Sequence, residues 1–513
     1  SSREIQMCAR CHSRRGQIHE DFVHGQPLGD DYRVALLDNN LYYPDGQIKA
    51  EDYEYGSFIQ SRMYHAGVTC SDCHEPHSLR LRAEGNGVCL QCHAADKYDT
   101  ATHHFHRSGS PGARCVECHL PTTLYMVVDA RCDHSIRIPR PDLSVKLGVP
   151  NACNKCHIDK PPQWAADAVI KWYGHRPAGF QNFAETLDAG DVGAPGAEKL
   201  LAELVADDNQ PAIARASALA RMSALAGPLS PGAIREGVAD KDFLVRRGAA
   251  LALAGTDPSV SAAILAPLIR DPVRAVRIEA ADVLAGAPAA ALPAADATAL
   301  REAAAEYIAA QEFDADRPEA HLDLALIFAR EKQFGKAESQ LRDALSLEPA
   351  FAPAAVNLAD LYREMGHDAD GERVLDDALV RSPGDASLQH ALGLLLIRQG
   401  QRREAAEHLA AAARLDPSNG RFAYTYALVL DDAGQTGTAI NVLEAEIERH
   451  PYDGDSLAAL AGFYGKTGNP RRGMIYANRL LELEPDNLQA RQLLTQLRGA
   501  PQPPQPDTTT PHP

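Results

Sequence analysis

The most regular pattern along this chain is a 34-residue period that covers about residues 318–485. A small residue occupies the eighth position of each repeat, where two helices of a hairpin would pack closely, and a glycine follows at mid-repeat. A proline near the end of each repeat would stop the second helix. The recurring positions are Ala325, Ala359, Gly393, Ala427 and Ala461; Gly366, Gly400, Gly434 and Gly468; and Pro349, Pro383, Pro417, Pro451 and Pro485. The pattern predicts stacked helical hairpins, followed by a capping helix at about 486–498.

In its period and in these marks the segment resembles the tetratricopeptide repeat. Lys332 stands where a glycine would be, and Glu446 stands where alanine is usual, so single repeats depart from the pattern. The resemblance implies a concave groove that binds a peptide or protein partner. The alternative is a scaffold that only supports or spaces the rest of the chain.

A weaker helical repeat precedes this segment. Pro161 and Pro162 interrupt the chain, and a helical pattern begins at Trp164. Three segments rich in Ala and Leu then align, each with an arginine just after a short bend. The arginines are spaced 31 residues apart, at Arg215, Arg246 and Arg277. This pattern resembles HEAT-type repeats, in which paired helices stack into a solenoid.

The first 160 residues have few long periodic apolar runs and are rich in Gly, Pro, Asp and His. We therefore predict an all-α chain in which a loop-rich domain, 1–160, is followed by an α-solenoid. The solenoid would comprise HEAT-like repeats over 161–300 and tetratricopeptide repeats with their capping helix over 301–498. The Pro-rich residues 499–513 are predicted to be a disordered tail.

Composition narrows the classes of function. The 513 residues carry a formal net charge of −18, which argues against nucleic-acid binding because a phosphate-binding face needs a basic excess. No window has 18 consecutive apolar residues, so no membrane span is expected. The sequence begins SSREIQMCARCH, with no initiating Met and no apolar leader, so we expect a removed signal peptide or a longer precursor.

Ten of the eleven cysteines form five Cys-x-x-Cys pairs, and a histidine follows each pair at once. Zinc ribbons do not require that histidine, and thioredoxin-like pairs need a βαβ setting that is missing here. Covalent haem c requires two thiols for the two vinyl groups and an adjacent histidine for the iron. The pattern therefore predicts five haem c groups. The cysteines are Cys8/Cys11, Cys70/Cys73, Cys89/Cys92, Cys115/Cys118 and Cys153/Cys156, and the histidines are His12, His74, His93, His119 and His157.

Residues 1–160 contain eight further histidines, enough to ligate most irons on the second face: His19, His24, His65, His77, His103, His104, His106 and His134. Iron ligated on both faces has no open position for a substrate, so the composition favours electron transfer over catalysis.

The stretch CSDCHEPH places His77 three residues after His74. Two histidines on opposite faces of one haem have Cα atoms about 12–13 Å apart, whereas three residues span at most about 10–11 Å. His77 therefore cannot ligate the haem of His74. We expect it either to ligate another haem, most simply that of Cys89/Cys92, or to lie at the surface or bond a propionate.

The segment THHFHRSGSPGARC is predicted to supply ligands for two different haems, with the third of its histidines bonding a propionate. His134 is a further candidate ligand, and the adjacent Arg137 and Arg140 either pair with propionates or are solvated. His19, His24 and His65 are less certain ligands and are also candidates for a haem outside this chain. Cys132, the unpaired cysteine, is interpreted as a free thiol; an intermolecular disulfide and an iron contact are the alternatives.

Six motifs carry a family resemblance: MCARCHSRRGQ, AGVTCSDCHEPHSL, CLQCH, HHFHRSGSPGARCVECH, YMVVDARCDHSIRIPRPDLS and PNACNKCH. With the repeats that follow, residues 1–160 resemble the C-terminal haem portion of bacterial multihaem cytochromes c that carry tetratricopeptide repeats. That family is more distantly similar to octahaem cytochromes of the hydroxylamine oxidoreductase and nitrite reductase group. The resemblance implies further haems upstream of Ser1. No Cys-x-x-Cys-Lys motif occurs, so no catalytic residue is transferred.

These patterns predict an extracytoplasmic electron-transfer protein, periplasmic or extracellular, because haem c is attached after export. Its partners would be redox proteins and a peptide or protein in the groove of the repeats. Two alternatives remain. One is an oxidoreductase that acts on a small nitrogen or sulfur compound at an open-face haem. The other is a self-assembling subunit of a haem-stacked conduit.

Overall fold

The computed structural model describes residues 2–78, 80–225, 227 and 229–499, and it confirms the predicted, mostly helical fold. The chain divides into two compact units, residues 1–191 with 197–313, and residues 192–196 with 314–513. From residue 500 onward, the predicted disordered tail lies outside the described residues. None of the described helices is long and apolar enough to cross a membrane.

The cysteine-rich part of the first unit consists of short helices and three antiparallel hairpins. The helices are α1 (Ser2–His12), α2 (Tyr53–Phe58), α3 (Arg62–His65), α4 (Cys70–Cys73), α5 (Gly87–Leu90), α6 (Ala95–Tyr98), α7 (Ala101–His104), α8 (Cys115–His119), α9 (Pro141–Leu147), α10 (Ala152–Cys156) and α11 (Pro162–Tyr173). The paired strands are β1 (Arg15–Gln17) with β2 (Tyr32–Val34), β3 (His74–Glu75) with β4 (Arg80–Leu81), and β5 (Thr122–Tyr125) with β6 (Asp129–Cys132). Short 3₁₀ turns occur at Leu28–Asp30 and Pro111–Ala113.

Most of this part has little hydrophobic core of its own. Among the described residues from 62 to 140, the buried apolar residues are Ala113 and Pro121. A folded segment of this length normally buries a continuous set of aliphatic and aromatic side chains. Its interior therefore has to be filled by something other than its own side chains.

Residues 27–61, in contrast, pack against the helices that follow in the same unit. The Leu37 amide donates to Ser217 Oγ over 2.9 Å, and the Arg274 amide donates to Asp30 Oδ1 over 2.9 Å. Arg247 donates to the carbonyl oxygen of Val34. Both sides of the predicted boundary at residue 160 belong to one compact unit, and the boundary itself stays a prediction.

The remaining helices of the first unit are α12 (Ala184–Val192), α13 (Ala197–Ala206), α14 (Ala212–Arg221), α15 (Ser230–Val238), α16 (Phe243–Leu251), α17 (Pro258–Leu265), α18 (Arg274–Val283) and α19 (Ala294–Phe313). Short 3₁₀ segments lie at Met222–Ala224, Ala266–Arg270 and Ala289–Ala291.

The three arginines of the 31-residue repeat have one structural role. Each of them pairs with a carboxylate further along the chain: Arg215 with Asp240 at 2.8 Å, Arg246 with Asp271 at 2.5 Å, and Arg277 with Glu306 at 2.7 Å. The sequence period therefore corresponds to a repeated ion pair. The HEAT assignment itself stays a prediction.

The second unit contains paired helices with the predicted period. They are α20 (Pro318–Arg330), α21 (Phe334–Leu347), α22 (Ala352–Met365), α23 (Asp368–Arg381), α24 (Ala386–Arg398), α25 (Arg402–Leu415), α26 (Gly420–Asp432), α27 (Thr436–Arg449), α28 (Gly454–Lys466), α29 (Pro470–Leu483) and α30 (Leu488–Gly499). The small residues at position eight are buried or nearly so where helices cross; Ala325, Ala427 and Ala461, for example, are at most 1% exposed. The hairpin prediction is confirmed, and α30 lies where the capping helix was expected.

Candidate haem sites

All five Cys-x-x-Cys-His motifs lie on or just beyond short helical turns. The cysteines fall on α1, α4, α5, α8 and α10 or shortly after α5, and the histidine ends the turn or follows it. Residues three apart on a helix share one face, so the two thiols of a motif are displayed together. None of the eleven cysteines, all of which lie in the described part of the chain, forms a disulfide. Each motif thus offers two unpaired sulfurs and an imidazole within one turn.

The second cysteines of three motifs are less enclosed than the other predicted attachment sites. Cys11, Cys92 and Cys156 are exposed, whereas the remaining seven paired cysteines are half-buried. A sulfur joined to a haem by a thioether would be covered by the porphyrin, and the protein chain does not cover these three by itself. Attachment at these three cysteines, as at the other seven, stays a prediction.

The motifs meet in pairs through their first cysteines. Cys8 lies against Cys70, and Cys89 lies against Cys115. Burial, reinforced by the neighbouring thiol, raises the pKa of Cys70 and of Cys89 to about 12. Groups attached to these paired motifs would therefore lie next to each other.

Three of the five motif histidines stand opposite a second histidine from elsewhere in the chain. The ring centroids of His74 and His134 are 6.3 Å apart, those of His103 and His119 are 6.2 Å apart, and those of His106 and His157 are 6.3 Å apart. The planes of the His103 and His119 rings differ by 12°, and those of the other two pairs by 33°.

This spacing suits one metal ion between two imidazoles. A histidine nitrogen binds a transition metal at about 2.0–2.1 Å, which puts the ring centroid about 3.1–3.2 Å from the metal. Two rings on opposite faces of one iron then have centroids about 6.2–6.4 Å apart. All three observed pairs agree with that separation, so the residues present fit a porphyrin iron ligated on both faces.

The other ring nitrogen is already engaged in several of these histidines. His119 Nδ1 lies 2.7 Å from the Arg137 carbonyl oxygen, and His134 Nδ1 lies 2.9 Å from the Cys132 carbonyl oxygen. His12 Nδ1 lies 2.9 Å from Glu54 Oε2. A carbonyl or carboxylate acceptor places the proton on Nδ1 and leaves the Nε2 lone pair for a metal.

The imidazoles of the pairs are held in the neutral form that binds metals. Burial lowers the pKa of His74, and the nearby His134 lowers it further. Burial also lowers the pKa of His103 and of His119. Because a protonated imidazole cannot ligate, this environment favours coordination near neutral pH.

Comparison with protein families gives two kinds of match. A family model described as the doubled CXXCH motif matches residues 64–98, which include Cys70–His74 and Cys89–His93. Two models of the tetratricopeptide repeat match residues 328–395 and 386–419. The chain carries the covalent haem-binding signature of a multihaem c-type cytochrome. The tetratricopeptide prediction is confirmed, whereas the similarity to octahaem cytochromes stays a prediction.

No curated protein matches this chain. Several solved structures are similar to between 33% and 39% of the chain. MamA is 20% identical, with a TM-score of 0.29, and covers 33% of this chain and 92% of its own. YrrB, described as a TPR protein with an unusual peptide-binding site, is 18% identical, with a TM-score of 0.29, over 36% of this chain and 94% of its own. PilW, described as a type IV pilus biogenesis factor, is 23% identical, with a TM-score of 0.33, over 39% and 92%.

The structure separates the three histidines of the THHFH stretch. His103 faces His119, and His106 faces His157. His104 faces no other imidazole among the described residues; its Nδ1 accepts the backbone N–H of His106 over 3.1 Å. His103 and His106 therefore face two different motif histidines, which agrees with the predicted division between two haems. His104 instead forms a hydrogen bond within the loop.

The other candidate ligands are not brought to a second imidazole within the described residues. His77 is 95% exposed and bonds Glu75. His19 lies 3.5 Å from Asp31, His24 contacts Phe22, and His65 packs against Phe180. Likewise, His12 and His93 have no histidine ring against them in the described part of the chain.

Several contributors to the sites were not predicted from sequence. Gly112 leaves space for the His106 ring, since a Cβ there would lie 2.3 Å from Cδ2 of that ring. The edge of Tyr98 bridges the His93 and His103 rings, at centroid distances of 5.3 and 5.4 Å. A glycine before a Cys-x-x-Cys motif or a lone tyrosine carries no distinctive signal in a single sequence.

The two arginines next to His134 behave differently. Arg140 forms a two-point pair with Asp142, with both N–O distances at 2.9 Å. Arg137 is 7% exposed, and its Nη2 is buried without a partner in the described part of the structure. The same guanidinium lies 3.5 Å from an Asp45 carboxylate oxygen and 3.9 Å from an Asp133 carboxylate oxygen, so its charge is already balanced. A pairing of Arg137 with a haem propionate stays a prediction.

Proposed function

We infer that this protein is an extracytoplasmic electron carrier with five haem c groups bound through the ten paired cysteines. The main support is the set of three imidazole pairs. In each pair a motif histidine faces a histidine from elsewhere in the chain, at the ring separation expected across one iron. Bound haem supplies a one-electron couple. The assigned ligand pairs are His74 with His134, His119 with His103, and His157 with His106.

The chain's own part in this function is to hold ligands and to keep the haems close together. The contacts Cys8–Cys70 and Cys89–Cys115 bring motifs together in pairs, and Tyr98 joins the His93 and His103 sites. Ligation on both faces blocks substrate access to the iron, which supports electron transfer over catalysis at these three sites.

The tetratricopeptide repeats supply the protein contacts of the proposed carrier. Repeats of this kind suggest protein partners, and the partner proposed here is a redox protein or a peptide segment of one. The acidic net charge of −18 suits a partner with a basic docking face.

The decisive experiment is a haem count on the exported, full-length protein by mass and by pyridine haemochrome, combined with electron paramagnetic resonance. Five haems are expected, with at least three low-spin irons. His134→Ala should convert one low-spin iron to high-spin, whereas the matched solenoid variant His408→Ala should leave the spectrum unchanged. A colourless preparation, or an unaltered spectrum in His134→Ala, would refute the proposal.

A further inference from the structure

Helix α11 follows the last cysteine motif and carries both tryptophans of the protein, Trp164 and Trp172. Ala165, Ala166 and Val169 are buried, and α11 packs against α9. The helix is capped at its end by Gly174, whose φ is +74° and whose amide bonds the Ile170 carbonyl over 2.8 Å. One face of α11 is thus buried in the fold, and its aromatic residues are available for other contacts.

Those aromatic residues contact Phe105, the His103 backbone and the His157 ring. Trp172 stacks on Phe105 with the centroids 4.6 Å apart and the planes 4° apart. The Tyr173 hydroxyl donates to the His103 carbonyl oxygen over 2.5 Å, and its ring meets the edge of Phe105. Trp164 lies 4.8 Å from the His157 ring. One helix therefore contacts the elements that carry His103, His106 and His157.

Phe105 is the residue at which the chain turns between the two histidines. Its φ of +54° and ψ of +26° are left-handed, a conformation that costs energy for a residue with a bulky side chain. The turn lets His103 face His119 while His106 faces His157. A strained residue persists only where its surroundings hold it, and the Phe105 ring packs against both Trp172 and Tyr173.

We propose that α11 is a clamp in which the Phe105–Trp172 stack and the Tyr173 hydrogen bond position His103 and His106 on the irons of two neighbouring haems. This inference rests on the proposed function, because it takes these histidines as iron ligands. Trp172, Phe105 and Tyr173 are positioning residues, since they act through the histidines. A displacement of α11 would therefore affect the His103 and His106 ligands together.

The test uses the full-length haem-loaded protein and three variants. Trp172→Ala should retain five haems by mass, but up to two more irons per chain should become high-spin and bind carbon monoxide after reduction. Phe105→Asn, which tolerates the left-handed turn but lacks the ring, should do the same. Trp172→Phe preserves the stack and should return to the wild-type spectrum. Phe313→Ala, which removes an exposed aromatic ring from α19, is the matched control and should change nothing.

Wild-type spin state and carbon monoxide stoichiometry in Trp172→Ala or Phe105→Asn would overturn the clamp, as would loss of haem in both variants, which would indicate a merely structural role. His103→Ala and His106→Ala separate the two proposals. If neither opens an iron, the ligand assignment fails; if each opens one while Trp172→Ala and Phe105→Asn do not, only the clamp fails.

Discussion

Gly112 places a steric requirement on the site of His106 and His157. The nearest atoms to a Cβ at position 112 would be three atoms of the His106 ring, at 2.3, 2.6 and 2.8 Å. Side-chain carbons do not approach to such distances, so any larger residue has to displace the ring. The role of this glycine is therefore to admit an imidazole rather than to permit an unusual backbone conformation.

We predict that Gly112→Ala moves His106 away from His157 and leaves one iron five-coordinate. The measurement is the high-spin fraction, which should rise by about one iron in five while the haem count stays constant. Gly179→Ala is the control, because its Cβ would have no neighbour closer than 3.9 Å. Equal spectra for the two variants would contradict the assigned pair.

A second residue, His390, makes the stability of the repeats depend on pH. Its side chain packs against Phe422, and Nε2 lies 3.3 Å from Thr425 Oγ1. Burial, helped by the nearby Arg421, lowers the pKa of His390 to about 4. The unfolded chain therefore binds more protons than the folded one from the ordinary histidine pKa of about 6.5 down to about 4, and acid favours unfolding over that range.

The expected loss in the free energy of unfolding between about pH 7 and pH 5 is about 2 kcal/mol from this group. Denaturant unfolding followed by circular dichroism measures it in the repeats. His390→Gln should remove that part of the pH dependence, while His408→Gln, in the same repeat, should retain it. An unchanged slope in His390→Gln would show that another group is responsible.

At the scale of elements, the helical hairpins of the repeats turn through a left-handed residue. Gly366, Gly400, Gly434 and Gly468 have φ between +76° and +80°, and Lys332 takes φ +61° at the equivalent position of the first repeat. The repeat geometry thus overrides the preference of a lysine, at a cost of about 1–2 kcal/mol. The departure seen in the sequence has a structural consequence, because it stores strain in the first turn.

Lys332→Gly should raise the free energy of unfolding of the repeats by up to about 1 kcal/mol, since the relief of strain exceeds the entropy lost by glycine. Thermal unfolding provides the measurement. Gly366→Lys, the reverse change in the next repeat, should lower stability by about the same amount. A destabilised Lys332→Gly protein would mean that the lysine side chain, which lies near the Phe334 ring, contributes more than the strain costs.

At the scale of the whole molecule, the tetratricopeptide repeats and residues 62–140 differ in how much apolar surface they bury. The repeats bury continuous clusters, such as Leu388, Leu392, Leu395 and Leu396 with Ala359. Residues 62–140 bury Ala113 and Pro121 and little else that is apolar among their described positions. Burial of apolar surface drives folding, so we predict that residues 62–140 depend on the proposed porphyrins for their core.

Haem-free protein, produced in a host that lacks the haem-attachment machinery, should therefore keep the helices of residues 318–499 and lose the structure of 62–140. Circular dichroism and limited proteolysis distinguish the two regions, with cleavage expected first between Arg62 and Arg140. Haem-loaded protein is the control. Equal protection of both regions in colourless protein would contradict a porphyrin core.

Local patterns were sufficient for some of these conclusions. The 34-residue period predicted the hairpins because each repeat sets its own turn and packing positions. The Cys-x-x-Cys-His motifs predicted haem attachment because both thiols and the imidazole come from five consecutive residues. In the same way, the distance a chain of three residues can span excluded His77 from the haem of His74.

What the sequence by itself determined is thus the helical class, the repeats and the attachment motifs, all of which depend on residues close together in the chain. Only the tertiary structure decided which histidines face each other: His74 and His134 lie 60 residues apart, and His106 and His157 lie 51 apart. Partners at such separations are selected by the packing of the intervening chain, including the turn at Phe105 and its stack on Trp172. The sequence shows how many histidines are available as ligands, whereas the folded structure determines which of them face each other.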